Sequence, residues 1–113
     1  KKGTALIEKG VALKPGYAVG LFDLGVAYMK MKDYKRAKQQ YEQALQIKPD
    51  YTDCLMNLGF CHLSLNDYSS ALHSYEKILS CDPGYKAAYQ SISYVYWKMG
   101  DKKKSEEASL KAK

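Results

Sequence analysis

Apolar residues in this chain recur at spacings of three and four, in paired stretches divided by a short polar break, and the whole pattern then returns. In residues 18–51 the first stretch carries Leu21, Leu24 and Tyr28, the break "MKMKD" ends at Asp33, and the second stretch carries Tyr34, Ala37, Tyr41 and Leu45. Such spacing places the apolar side chains on one face of a helix, so each unit predicts two helices. Residues 52–85 repeat the arrangement with Leu55, Leu58 and His62, the break "LSLND", then Tyr68, Ala71, Tyr75 and Leu79. Laid over one another without gaps, the two units share eleven identities, among them Gly25/Gly59, Asp33/Asp67 and Glu42/Glu76. The punctuation keeps the same period: Pro15, Pro49 and Pro83 stand 34 residues apart, as do Tyr17, Tyr51 and Tyr85. Proline has no backbone N–H and biases the residue before it away from helical angles, so each of these sites ends a helix. Asp33, Asp67 and Asp101 close the three breaks and are placed to accept the orphan amides of the helix that follows.

The pattern predicts an all-α chain of about seven helices, over 3–13, 18–31, 34–47, 52–65, 68–81, 86–99 and 102–112. The motif residues sharpen this reading. Unit one has Leu21, Leu24, Gly25, Tyr28, Ala37, Tyr41 and Pro49; unit two has Leu55, Leu58, Gly59, His62, Ala71, Tyr75 and Pro83. This resembles the tetratricopeptide repeat (TPR) signature of a large residue, x2-Leu-Gly-x2-Tyr on a first helix, Ala-x3-Phe on a second, and a closing Pro. The third unit keeps Tyr89, Ile92 and Tyr96 but has Ser93, Ser105 and Ser109 at the Gly, Ala and aromatic positions. The resemblance implies one domain over 1–113, a right-handed superhelical solenoid of antiparallel helix hairpins. Its parts are the second half of a preceding repeat (1–17), repeat 1 (18–51), repeat 2 (52–85) and an incomplete repeat 3 (86–113). A half repeat at one end and a cut repeat at the other suggest a fragment of a longer array.

Composition narrows the function. The 46% hydrophobic and 27% charged content is that of a folded globular chain, and no apolar run approaches the length of roughly 18 residues that a membrane helix needs. Cys54, Cys61 and Cys81 are odd in number and lack zinc-ligand spacing, which predicts buried free thiols in a reducing, cytoplasmic setting. Cys61 and His62 are neighbours, and on a helix neighbours point about 100° apart, so they do not share an ion readily. No phosphate loop, His-Glu-x-x-His or Gly-x-Ser-x-Gly is present, and His73–Ser74 with Asp67 reads as a solvated helix face. Neither catalysis nor a cofactor is expected. The net charge of +6 comes almost wholly from lysines, with a single arginine, and the basic residues gather at Lys30, Lys32, Lys35, Arg36 and Lys38 and again at Lys98, Lys102, Lys103 and Lys104. Unit two interrupts that edge with Ser64, Asn66, Ser69 and Ser70, which argues against a continuous phosphate track and a nucleic-acid partner.

In proteins resembling this one the first helices of the units line a concave groove that receives a ligand. Stacked by the period, Val26, Phe60 and Tyr94 form one row, Met29, Leu63 and Trp97 a second, and Phe22, Met56 and Gln90 a third, with Asp23, Asn57 and Ser91 as polar anchors. The family's carboxylate-clamp subtype needs basic and amide residues at the sites of Phe22, Val26, Asn57, Ala87 and Ser91, and only Asn57 fits. The expected function is therefore a non-catalytic protein-interaction module taking an apolar or amphipathic peptide segment, from another protein or from its own flanks. The rivals are a scaffold that self-assembles end to end through exposed terminal helices, and a nucleic-acid-binding repeat using the lysine edge.

Overall fold

A computed structural model describes residues 16–113. The expected helix over 3–13 lies outside the described residues. Six helices follow: α1 (Gly16–Lys30), α2 (Tyr34–Ile47), α3 (Thr52–Ser64), α4 (Tyr68–Cys81), α5 (Lys86–Met99) and α6 (Lys102–Lys111). Among the described residues there is no strand. Each of the three hairpins packs its own two helices together, and α2 meets α3 as α4 meets α5, so α2 and α4 each bridge two units.

The three breaks fold alike. Asp33 accepts a hydrogen bond from the Arg36 amide, Asp67 from the Ser70 amide and Asp101 from the Lys104 amide, at 3.2, 3.3 and 3.1 Å. Each of these aspartates also donates its own amide back to the preceding helix, to the carbonyls of Tyr28, His62 and Tyr96 at 2.8–2.9 Å. That bond, with the one made by the residue before it, is a Schellman closure, and it forces that residue into the left-handed region. Lys32, Asn66 and Gly100 fill the position with φ of 62°, 64° and 84°. Asparagine and glycine tolerate this, and lysine does so at a cost. Lys48 and Asp82, each preceding a proline, terminate α2 and α4 as expected.

Two core clusters lie one behind the other. The first joins Ala18 of α1, Ala37, Tyr41 and Ala44 of α2, and Cys54, Leu58 and Cys61 of α3. The second joins Leu55 of α3, Ala71, Tyr75 and Ile78 of α4, Ala88, Ile92 and Val95 of α5, and Ala108 of α6. The glycines explain the tightness of the first two hairpins. A Cβ on Gly25 would stand 2.5 Å from the Tyr41 ring, and one on Gly59 would stand 2.5 Å from the Tyr75 ring. The third hairpin has Ser109 where those tyrosines stand, so room opens for Ser93. The Ser93 and Ser105 hydroxyls donate to each other's backbone carbonyls at 2.8 and 2.9 Å, a reciprocal polar clasp at the positions that are glycine and alanine in the first two units.

Two expectations change. Cys54 and Cys61 are fully buried free thiols, but Cys81, the last residue of α4, is exposed because the helix ends there ahead of Pro83. On α1 the Leu24 position is 43% exposed, while its counterpart Leu58 is buried in the first core cluster. Among the described residues α1 has a hairpin partner on one side and no second helix before it.

Candidate peptide-binding groove

The first helices α1, α3 and α5 run in the same direction, and their outward faces carry the three rows anticipated from the period. The rows are not equivalent. Phe22 is half-buried with its ring 5.7 Å from that of Tyr41 and 5.2 Å from that of Tyr51, and Met56 packs partly against the second core. Met29 and Leu63 are likewise half-buried between units. Phe60, Tyr94 and Trp97, by contrast, are 44, 48 and 60% exposed, and Val26, at the head of the Phe60 and Tyr94 row, is half-buried. The exposed aromatics are braced: Tyr34 meets Phe60 edge-on at 6.0 Å between ring centroids, and Tyr94 stacks beside Trp97 at 5.9 Å. An aromatic strip held by its neighbours loses little side-chain freedom when something covers it.

Between α3 and α5 this strip borders a cavity of about 290 Å³, lined by Phe60, Leu63, Tyr75, Gln90, Ser91 and Tyr94. Five of those six are residues expected from the sequence. Tyr75 is not; it reaches the cavity floor from the second helix α4. Tyr41 holds the equivalent place one unit earlier, where its hydroxyl accepts from the Asn57 amide at 3.2 Å and donates to the Met29 sulfur at 2.9 Å. Burial pushes both phenols up, each to about 12, with Asn57 drawing Tyr41 back and Ser91 drawing Tyr75 back. Both therefore remain neutral hydroxyls. A signal for them was present: tyrosine at the usual Phe position of the repeat implies a hydroxyl needing a partner. Asn57 and Ser91 are consequently half-buried and engaged between units, whereas Asp23 and Gln90 stand exposed.

The other chemistry considered does not assemble. Ser74 is buried at 3% exposure while its neighbour His73 is exposed, and an Asp67 carboxylate oxygen is committed to capping α4. Among the described residues no cluster of three or more His, Cys, Asp or Glu could hold a metal ion, and no helix is long and apolar enough to cross a membrane. Several cations of the basic edge have occupations: Arg36 pairs with Asp33 at 3.5 Å and lies over Tyr28, and Lys104 lies over Tyr96.

His62 occupies the position that is tyrosine in the flanking units. Its Nδ1 is buried without a hydrogen-bond partner, 3.9 Å from the Asp67 carboxylate, and burial lowers its pKa although Asp67 opposes this.

Comparison with known proteins agrees with this architecture. The tetratricopeptide repeat family matches over residues 28–93 and again over 87–113. A crystal structure of MamA is 28% identical with a TM-score of 0.82, covering 94% of this chain and 62% of that one. The chain spans 58% of a second MamA structure. The Sgt2 TPR domain from Aspergillus fumigatus is 28% identical with a TM-score of 0.80, covering 85% of this chain and 64% of that one. The second TPR of Spaghetti (RPAP3), bound to an HSP90 peptide, has a TM-score of 0.81 over 91% of this chain and 95% of that one, but at 16% identity it shares the fold alone. A search of curated proteins finds no match. The first match alone spans more than half of the sequence, and with the repeated hairpins it shows that the chain belongs to the tetratricopeptide repeat family.

Proposed function

We propose that this chain is a non-catalytic protein-interaction module that holds an apolar or amphipathic peptide segment against α1, α3 and α5. The observation that carries the reading is the braced, exposed strip of Phe60, Tyr94 and Trp97 beside a cavity large enough for one bulky side chain. Large exposed apolar patches are uncommon on proteins that have nothing to bind. Family membership supports an interaction role, and the fit of the cavity to a side chain supports a peptide as the ligand.

The test uses a peptide selected from a random display library against the whole chain, with Phe60→Ala measured for affinity and for unfolding free energy. Phe60 already gives nearly half its surface to solvent, so the substitution should cost about 1 kcal/mol of stability or less. Affinity should fall by about tenfold or more, as for an aromatic hot spot. A loss of about 3–5 kcal/mol in stability without selective loss of affinity would show Phe60 to be core and overturn the proposal.

A further inference from the structure

The groove face also carries a charge order. Lys30 and Lys98 lie in the last turns of α1 and α5, each four residues after a member of the Val26–Phe60–Tyr94 row, so each stands one turn further along the same helix face. Ser64 holds the equivalent place on α3. Both lysines are exposed, and among the described residues neither makes an ion pair. A helix C-terminus favours a cation in its last turn, which accounts for lysines at these ends but not for their sharing a face with Val26 and Tyr94. The acidic groups lie in the opposite direction. Asp23 comes three residues before Val26 and Asp53 comes seven before Phe60, in the first turn of α3, and both are exposed and outside any ion pair among the described residues. The aromatic strip thus lies between a cationic rim at the C-terminal ends of α1 and α5 and acidic groups toward the N-terminal ends of α1 and α3, while α5 begins with Lys86 and carries no acid.

From this we infer that the segment bound in the groove is amphipathic and acidic on one flank, with its apolar stripe on Phe60, Tyr94 and Trp97 and its carboxylates over Lys30 and Lys98. The inference rests on the groove reading and adds to it the sign and side of the partner's charge. It differs from carboxylate-clamp recognition, because the lysines stand beyond the row rather than at the clamp sites, which are Phe22, Val26, Asn57, Ala87 and Ser91 here. One large aliphatic or aromatic side chain of the partner fills the cavity beside Gln90, and the two lysines fix which edge of the partner faces the hairpin turns. Complementary charge of this kind sets orientation and discriminates partners more than it adds affinity.

The test uses a helical peptide of about 14 residues, roughly 21 Å long. Two such peptides share one Leu/Phe stripe. One has glutamates along a single flank, and in the other those glutamates are lysines. Binding is followed by the fluorescence of Trp97. At about 0.05 M salt the glutamate peptide should bind roughly tenfold tighter, and the difference should shrink toward parity at about 0.5 M. In the Lys30→Glu/Lys98→Glu double variant the preference should reverse. Parity at low salt, or a preference unchanged in the double variant, overturns the charge inference; if Phe60→Ala still weakens both peptides, the groove reading stands alone. Binding by neither peptide, or binding indifferent to Phe60→Ala, overturns both.

Discussion

Gly59→Ala gives a quantitative test of how the hairpins close. The added Cβ would lie 2.5 Å from two atoms of the Tyr75 ring, where ordinary carbon contacts are 3.4–4 Å, so the ring must retreat by about 1 Å. Tyr75 is 3% exposed and shares its cluster with Leu55, Ala71 and Ile78, which leaves it little room to move. Overpacking of this kind costs about 1–3 kcal/mol, and exchanging Gly for Ala inside a helix returns about 1 kcal/mol. With the overlap spread over several ring atoms the strain belongs in the upper part of that range, for a net loss of about 1–2 kcal/mol. In a Tyr75→Val background the obstacle is gone, and the same substitution should stabilise by up to about 1 kcal/mol. The predicted coupling is therefore about 2–3 kcal/mol, read from urea unfolding of the four proteins by far-ultraviolet circular dichroism. A coupling below about 0.5 kcal/mol would refute the reasoning. The third hairpin already carries the natural counterpart, with Ser93 admitted where Ser109 replaces the tyrosine.

Other outcomes follow from the same structure. His62 is held neutral by burial, its folded pKa below the ordinary 6.5, so the unfolded chain takes up its proton first as pH falls. Stability should accordingly decline from about pH 6.5 down to the folded value, and His62→Tyr, which restores the residue of Tyr28 and Tyr96, should flatten the fall in urea midpoint between about pH 7.5 and 5.5. Burial pushes the Cys54 and Cys61 thiols up, each to about 12, whereas Cys81 is exposed. A thiol reagent at mildly alkaline pH should thus find one fast site and two protected ones, and rapid labelling of all three would contradict the packing of α3. Lys32→Gly, at φ 62°, should stabilise by about 0.5–1 kcal/mol in thermal unfolding, since glycine already serves that place at Gly100. Destabilisation would mean the lysine side chain contributes more than its backbone angle costs.

Much of the fold was legible because its signals are local. Asp33, Asp67 and Asp101 start helices by a side-chain hydrogen bond made within three residues, and Pro49 and Pro83 follow residues that end them, so α2 and α4 begin and end as the spacing predicts. The left-handed residue before each aspartate was only partly legible, since Asn66 and Gly100 suit that angle but Lys32 carries no preference for it. The serine clasp of the third hairpin was hidden. Ser93, Ser105 and Ser109 look like losses from the motif one at a time and make sense only together, across two helices. The period places the twelve candidate groove residues on the first helices, but their depth depends on what the second helices send through. Phe22 sinks against Tyr41 and Tyr51, and Asn57 is taken up by the Tyr41 hydroxyl. Trp97 stays exposed although Met29 and Leu63, at the same place in the period, are half-buried.

Chemical-shift mapping of the whole chain with the display-selected peptide tests the central claim most directly. The account predicts that shifts concentrate in α3 and α5, at the amides of Phe60, Gln90 and Tyr94 and at the Trp97 indole N–H, with α1 responding around Val26 and Lys30. Shifts confined to α2, α4 and α6, with the Trp97 indole unmoved at saturation, would place the partner on the opposite side and contradict it.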